Sequence, residues 1–382
     1  MIDIIFISDY YLEEINGGAE KCNDALLKRL KKIHNVRQFK SSNIDVGFLN
    51  NNVDCFYIIA NFFELKKEVK EFMAKNLKYV IYEHDHKYLP NNNPVFYDNF
   101  ICNPKDLINV SFFKNAKKII CQSRLHSETL YKNLLTDNIV NAAGNFWDTK
   151  DIEILEANMS KEKEHEYAIF QTNNKNKGTN NAIGYCKKNN LNFISIPHMP
   201  YEKFIEAISS VNKIVFFPQW MESYNRVAVE AKILGCSIIT NNLLGVASEE
   251  YFSLKGKELL EFIKKNNDVL FKKINDIIMG KDVDCNFEKK SIPKITISCT
   301  FYKGEKYIKQ FLDDITKQTV FDKCELVIVN ADSPENEEVI VKEYTKKYNN
   351  IKYHRLDYRA STTEAVNMII GELSSGDYIT VG

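Results

Sequence analysis

The sequence predicts an α/β protein with mainly parallel sheets. Three times, a short β-branched run is followed by a polar or glycine-containing turn and then by a lysine-rich amphipathic stretch of helical length. Strands that alternate with helices form parallel sheets whose two faces are both covered. The chain has 382 residues, which is room for about two and a half domains.

The first domain is predicted over residues 1–150. It begins with a buried strand over residues 2–8, a turn at Asn16-Gly17-Gly18 and a helix over residues 19–32. Further strands are predicted at residues 55–60, 79–82 and 118–121. The acidic, lysine-rich stretch 148–166 is predicted to link this domain to the next one.

The second and third domains are predicted over residues 151–288 and 289–382. Strands of the second domain are expected at residues 167–171, 192–196, 213–217 and 237–240, and one or two surface helices at residues 256–279. A charged connector at residues 285–293 precedes the third domain. The elements expected after it are strands at residues 294–299, 326–329 and 377–381 and a helix at residues 335–347.

The composition and the charge exclude several classes of protein. The 51 Lys and Arg residues balance the 51 Asp and Glu residues, so no global positive field attracts nucleic acid or anionic lipid. The N-terminus has no basic leader and no 18-residue apolar run is present, which predicts a cytoplasmic protein. The nine cysteines contain no CxxC pair, and Glu83-His84-Asp85-His86 lacks a second ligand group at zinc-like spacing, so no metal site is predicted.

Two glycine-containing turns are candidate phosphate sites, because ligands of parallel sheets bind at the carboxyl ends of strands and near helix N-termini. Gly17-Gly18 precedes the first helix directly; the alternative interpretation is a turn that needs positive φ. In the second domain, Lys177 offers a point charge and Gly178 allows a close backbone approach. The alternative there is a solvated loop of Lys and Asn residues.

A third candidate lies in the run PQWMESYNRVAVEAKILGC, residues 218–236. It places Glu222 in a loop and Glu230, after seven intervening residues, within the helix that follows. Both carboxylates can reach a ligand that lies across the helix N-terminus, where they would accept hydrogen bonds from sugar or ribose hydroxyls. The alternative is an ordinary surface glutamate combined with an ordinary helical glutamate.

This Glu-x7-Glu run resembles the signature of family 4 glycosyltransferases, which are retaining enzymes of the GT-B fold with two facing Rossmann-like domains. The resemblance covers about residues 1–285 and implies three catalytic residues. Glu222 would contact the donor sugar, Lys177 the diphosphate, and His84 would face the reacting sugar. The donor-binding residues that it implies are Gly17, Gly18, Lys175, Gly178, Ser223, Tyr224, Arg226 and Glu230, the last on the ribose.

Two positions depart from the family pattern. Thr172 stands where family members usually carry Arg, and Asn225 stands where they carry Gly. We therefore expect a weaker phosphate clamp, or one completed by Lys175 or Arg226.

Residues 294–382 resemble the first half of a family 2 glycosyltransferase of the GT-A fold. The resemblance rests on KITISCTFYKGEKYIKQFLDDITKQ, CELVIVNADSPENEE and EAVNMIIGELSSGDYITVG. It implies nucleotide binding by Tyr302, Glu305, Asn330, Asp332 and Arg359. The Asp-Asp motif that binds a divalent metal in this family would follow residues 377–381. As it stands, we expect this truncated half-domain to be catalytically incompetent, either a fragment of a longer two-enzyme protein or a binding or packing element.

The predicted function is transfer of a sugar from a UDP- or GDP-sugar to a glycan or lipid-linked acceptor, with retention, in bacterial surface polysaccharide biosynthesis. No cofactor is expected for the GT-B part. A basic helix at residues 27–32 offers peripheral contact with the inner membrane face, or else a solvated outer surface. Two further alternatives are an inactive protein that binds sugar nucleotides or glycans, and a sugar-nucleotide epimerase or phosphorylase of the same fold. The oligomeric state stays open.

Overall fold

The computed structural model describes residues 1–284, 295–318, 320–321, 324–376 and 378–381. The chain forms two compact units, unit 1 at Met1–Glu288 and unit 2 at Lys289–Gly382. The predicted connector at residues 285–293 lies outside the described residues, as do the first residues of two predicted strands, Lys294 and Asp377.

Unit 1 begins with a six-stranded parallel sheet in the order β2-β1-β3-β4-β5-β6. Its strands are β1 Asp3–Ser8, β2 Asn35–Lys40, β3 Phe56–Ile59, β4 Lys78–Tyr82, β5 Ile119–Cys121 and β6 Ile139–Asn141. Its helices are α1 Gly18–Leu30, α2 Val46–Asn50, α3 Lys67–Asn76, α4 Val110–Asn115 and α5 Arg124–Leu134. Residues 4–7 of β1 are fully buried, as expected for a strand that is covered on both faces.

A second parallel sheet in unit 1 has the order β10-β9-β7-β8. Its strands are β7 His165–Phe170, β8 Phe193–Ile196, β9 Val211–Val215 and β10 Ser237–Ile239. The helices that accompany it are α6 Thr149–Asn158, α7 Thr179–Lys188, α8 Tyr201–Ser209, α9 Arg226–Ile233 and α10 Gly256–Ile278. The carboxyl ends of β7 and β9 lead into the loops that carry Lys177 and Glu222, respectively.

The predicted linker at residues 148–166 is wrong over most of its length, because residues 149–158 form α6. Asp148 caps this helix by accepting a hydrogen bond from the backbone N–H of Lys150 at 3.0 Å. Leu155 is fully buried in the second core. Lys150, Glu153 and Glu156, which suggested a linker, lie on the exposed face of this helix, whereas Asp151 is buried.

Residues 256–279, for which one or two helices were predicted, form the single helix α10. Its first turns bury Leu259 and Ile263 in the core of the second sheet. Its last turns bury Leu270 and Ile274 against the first sheet. This helix therefore ties both sheets into one compact unit.

Unit 2 contains a four-stranded parallel sheet in the order β13-β12-β11-β14. Its strands are β11 Ile295–Phe301, β12 Cys324–Asn330, β13 Ile351–Arg355 and β14 Tyr378–Val381. Its helices are α11 Glu305–Thr316, α12 Glu337–Lys347 and α13 Thr362–Met368, and the last continues as a π-helical turn at Ile369–Leu373. The predicted fold class is confirmed: unit 1 has two parallel Rossmann-like sheets, and a third parallel sheet follows.

The basic stretch at residues 27–32 covers the end of α1 and the two residues after it, and two of its four basic side chains form ion pairs. Lys28 contacts Asp148 at 2.7 Å, and Arg29 contacts Asp268 at 2.7 Å. Membrane contact by this helix stays a prediction. Across the described ranges, no helix combines the length and the apolar composition that crossing a bilayer requires.

Candidate active site

A cavity of about 420 Å³, which we call the main cavity, lies between the two halves of unit 1. We define the first half as the part that carries the first sheet, and the second half as the part that carries the second. The first half contributes Gly18, Ala19, His84, Asp85, Gln122 and Asn145. The second half contributes Asn174, Asn176, Lys177, Trp220, Met221, Glu222, Ser223, Asn225, Arg226 and Val227.

The structure brings the two most important predicted residues together. Lys177 Nζ lies 2.7 Å from Glu222 Oε1, although 45 positions separate them in the sequence. The other carboxylate oxygen, Oε2, accepts a hydrogen bond from Asn225 Nδ2 at 3.2 Å. The Lys177 side chain is 41% exposed and that of Glu222 is 15% exposed, so the ammonium group faces the solvent of the cleft.

Asn225 stands where the family resemblance expects glycine. Its φ of 82° lies in the left-handed region, which glycine occupies freely and which Asn tolerates better than most residues. Its side chain also caps α9 by accepting a hydrogen bond from the N–H of Ala228 at 2.9 Å. Asn225 therefore adopts a backbone conformation that favours glycine and also caps the helix, which glycine could not do.

Gly178 is required by packing as well as by its φ of 68°. A Cβ atom there would lie 1.8 Å from the carbonyl oxygen of Phe217. The close approach sets the Lys177 loop against the segment that follows β9, where Gln219 N–H donates to the carbonyl of Asn176 at 2.8 Å. Glycine here positions Lys177 beside Glu222.

Gly17 and Gly18 lie at the N-terminus of α1, on the first-half side of the cleft. Gly17 has a φ of −104°, so the alternative of a turn that needs positive φ is wrong for this residue. A Cβ at Gly18 would touch only Arg226 Cδ, at 3.9 Å. The N-cap residue Gly17 has no side chain to cap α1, but the Glu20 carboxylate lies at this end of the helix, where a Cβ on Gly17 would collide with it. An anion that approaches this helix N-terminus therefore meets a carboxylate.

Arg226, one of the predicted donor ligands, is buried in a network that joins the two halves. Its guanidinium donates to the carbonyl of Phe146 and to Asp151 Oδ2, the latter at 2.7 Å. It also lies 3.5 Å from Glu230 Oε1 and 4.6 Å from the ring centre of Trp147. In this arrangement, most of its hydrogen-bonding capacity is used within the protein.

Glu230 lines a second cavity of about 220 Å³ that shares Gly18, Arg226 and Val227 with the first one. Its Oε1 accepts a hydrogen bond from the hydroxyl of Tyr201 at 3.0 Å. A third cavity of about 280 Å³ continues the cleft at the carboxyl ends of β7 and β8. Its lining includes Phe170, Thr172, Ile196, His198, Phe204, Phe216 and Val227.

His84 lines the main cavity, but both of its ring nitrogens are bonded to protein. Nε2–H donates to Asn23 Oδ1 at 2.8 Å, and Nδ1 accepts from Gln122 Nε2. Burial, followed by the positive charge of Lys87, lowers the pKa of His84 to about 3. The imidazole is therefore neutral near pH 7, and any contact with a ligand involves a neutral ring.

The remaining predicted residues of the second half lie in different surroundings. Ser223 joins the two halves, since its Oγ donates to the carbonyl of His84 at 2.5 Å and its own carbonyl accepts from Ser123 Oγ at 2.6 Å. Tyr224 is buried in the core, where Tyr251 donates to its hydroxyl at 2.8 Å. Lys175 is exposed on the Lys177 loop.

Asp85, Gln122 and Asn145 line the cavity without having been predicted, whereas Asn174 and Asn176 lie in the predicted Lys177 loop. Asp85 and Gln122 each follow a strand of the first sheet, β4 and β5, and the carboxyl-end rule could have found both. Asn145 has no such signal, because its position depends on a turn after β6 and on a hydrogen bond to Gln122 Oε1 at 2.9 Å.

In unit 2, the predicted nucleotide-binding residues lie at the carboxyl edge of the sheet but have different partners. The Arg359 guanidinium stacks over the Tyr302 ring at 4.4 Å. Asn330 is fully buried, and Asp332 pairs with Arg355 at 3.1 Å. Glu305 accepts a hydrogen bond from the N–H of Asn336 at 3.2 Å. Of these residues, Arg359 and Glu305 are exposed, and Tyr302 is half-buried.

Residues 296–381 match the family described as Glycosyl transferase family 2. This match confirms the predicted class, a glycosyltransferase, through its C-terminal segment. A curated relative, the minor teichoic acid biosynthesis protein GgaB of Bacillus subtilis (strain 168), is 44% identical over 54 residues. That stretch is 14% of this chain and 6% of the relative, so the chain spans only a small part of the relative's length.

Two solved structures are similar to this chain at low sequence identity. One is Anabaena Alr3699/HepE in complex with UDP and glucose, with 12% identity and a TM-score of 0.42 over 74% of this chain and 95% of that one. The other is the wall teichoic acid polymerase TagF, with 11% identity and a TM-score of 0.33 over 73% of this chain and 88% of that one.

Proposed function

We propose that unit 1 transfers a sugar, with retention, from a UDP- or GDP-sugar to a glycan or lipid-linked acceptor. The observation that carries this proposal is the continuity of the three cavities. They present an apolar pocket with Phe170 and Phe204 that reaches Lys177, the Glu230 carboxylate, and the Lys177–Glu222 pair. These three features suit, in turn, the base, the ribose, and the diphosphate and sugar of a nucleotide sugar.

Each part of the cleft has the chemistry that one part of the donor needs. The aromatic rings of Phe170 and Phe204 suit a planar base, and carboxylates such as Glu230 and Glu222 accept hydrogen bonds from hydroxyls. Lys177 would neutralise the diphosphate. As that group leaves, negative charge grows on its oxygens, and a fixed ammonium beside a helix N-terminus stabilises it. We propose no cofactor for unit 1, because these groups supply the positive charge.

The similarity to a teichoic acid biosynthesis protein supports a role in assembling a bacterial cell-surface polymer. In unit 2, we propose that a nucleotide binds beside Tyr302 and Arg359. The guanidinium of Arg359 lies over the Tyr302 ring with one planar face, and its other face can stack on a nucleobase.

The proposal for unit 1 is tested by incubating the chain with radiolabelled UDP-glucose, UDP-galactose, UDP-N-acetylglucosamine and GDP-mannose. Transfer or slow hydrolysis of one donor, abolished by Glu222→Ala, is the expected result. The second candidate function is an inactive protein that binds sugar nucleotides, favoured by Thr172 at the usual Arg position and by the buried Arg226. Donor binding that survives Glu222→Ala without any turnover would establish the binding protein instead.

A further inference from the structure

The first-half wall of the main cavity presents one charged group. Among its described lining residues, Asp85 alone carries a carboxylate, and its side chain is 49% exposed. The others are Gly18, Ala19, His84, Gln122 and Asn145, all uncharged with the neutral imidazole included. The cations that line the cavity, Lys177 and Arg226, belong to the opposite wall.

Asp85 is held in position by Lys87, whose side chain is buried away from solvent. Lys87 Nζ lies 3.0 Å from Asp85 Oδ2 and 3.0 Å from Glu83 Oε1, and the Lys87 side chain is only 1% exposed. The rings of Phe62 and Phe63 lie 5.6 Å and 5.1 Å from the ammonium. Lys87 therefore holds the carboxylate in place without adding an exposed positive charge to the cleft.

The buried lysine also keeps Asp85 ionised. Partial burial opposes ionisation, but the ammonium of Lys87 lowers the pKa of Asp85 to about 2. An ionised carboxylate accepts hydrogen bonds and repels phosphates.

From this geometry we infer that Asp85 binds a hydroxyl group of an uncharged acceptor, a sugar or polyol end, on the wall opposite Lys177. The inference rests on the proposed function and adds to it a residue and a substrate class. The Lys177 wall suits the anionic donor, whereas the Asp85 wall suits a hydroxyl donor without phosphate. The two walls therefore sort the two substrates by charge.

The test measures binding by saturation-transfer NMR titration, with and without UDP. The probes are methyl α-D-glucoside, methyl β-D-galactoside, methyl N-acetyl-β-D-glucosaminide, glycerol and sn-glycerol 3-phosphate. We expect at least one uncharged probe to bind, and Asp85→Asn to weaken it at least fivefold, because a hydrogen bond to a charged group is lost. Asp85→Ser provides a second variant, and Asp54→Asn, at an exposed turn before β3, is the matched control.

Three results would overturn the inference. They are binding of no uncharged probe, preferential binding of glycerol 3-phosphate, and weakening of less than fivefold in both Asp85 variants. Calorimetric titration of the wild-type chain with UDP-glucose and GDP-mannose tests the donor separately. Absence of donor binding would refute the proposed function, whereas the effect of Asp85 on the uncharged probes is measured independently of it.

Discussion

The Lys177–Glu222 pair predicts that Glu222→Gln affects nucleotides and nucleotide sugars in opposite directions. A nucleoside diphosphate must compete with the Glu222 carboxylate for the Lys177 ammonium, which lies 2.7 Å away. Glutamine removes that competition while preserving the shape of the side chain. A nucleotide sugar also no longer competes with Glu222 for Lys177, but its sugar hydroxyls lose the ionised carboxylate that would accept their hydrogen bonds.

The magnitudes follow from the exposure of the pair. Because Lys177 is 41% exposed, the ion pair contributes only about 0.5–1 kcal/mol, so UDP should bind about two- to fivefold tighter to the variant. Hydrogen bonds from hydroxyls to an ionised carboxylate contribute about 1.5–3 kcal/mol. The ratio of the UDP-sugar Kd to the UDP Kd should therefore rise about 10- to 150-fold, because release of Lys177 cancels in the ratio.

Isothermal titration calorimetry with UDP and with the donor that the wild-type chain binds measures both constants. Glu206→Gln is a matched control, since Glu206 pairs with Lys161 at the same 2.7 Å on α8. It should change neither Kd. If UDP binds more weakly to Glu222→Gln, or if the ratio of the two constants stays unchanged, Glu222 does not have the role argued for it.

Three further predictions concern stability, measured by thermal and denaturant unfolding. Gly178→Ala should lower the free energy of unfolding by at least about 2 kcal/mol, because φ is 68° and the new Cβ would collide with the Phe217 carbonyl. Its control is Gly184→Ala in α7, where the space around the glycine is open. That variant should raise the free energy of unfolding by about 0.5–1 kcal/mol. Arg226→Met should lower the free energy of unfolding by about 3–5 kcal/mol, because the buried Glu230 and Asp151 carboxylates both lose the guanidinium, and Lys21 still contacts Asp151 at 3.2 Å. An unchanged stability would mean that Arg226 is mainly a ligand residue. Burial opposes ionisation of Glu325, but hydrogen bonds from Lys352 and Ser375 outweigh it and hold the folded-state pKa far below its usual value. Glu325→Gln should therefore be less stable than the wild type at pH 7. The difference should shrink as the pH falls below about 4, because the wild type then loses this stabilisation.

Local sequence patterns predicted the motif loops and most strands of the described residues, because buried parallel strands and glycine turns are encoded over a few residues. The strands β2, β6 and β13 were not predicted. The same patterns failed at α6, where exposed charges concealed an amphipathic helix whose apolar side includes Leu155. They could not show that α10 crosses from one core to the other. That arrangement depends on where two sheets lie in space, which no window of neighbouring residues records.

The candidate site divides in the same way. Glu222 and Lys177 are brought together by loops that follow two strands of one parallel sheet, so the carboxyl-end rule and the motif spacing were sufficient. Arg226 and His84 both line the cavity, but their hydrogen-bond partners within the protein were not predicted. Their hydrogen-bond partners, which include Asp151 and Asn23, lie far away in the sequence. Only the fold brings these residues close to Arg226 and His84.

The partners of Arg226 also explain what the departure at Thr172 means for the donor. Thr172 stands where the family resemblance expects Arg, and Arg226 is one of the two residues expected to replace it, but its guanidinium is held by Phe146 and Asp151. Lys175, the other candidate, is exposed on the same loop as Lys177. We therefore expect a phosphate clamp in this cleft to depend on Lys177 and to be completed by Lys175. Affinity for the donor should accordingly fall steeply with ionic strength, because an exposed ammonium is screened more than a buried one.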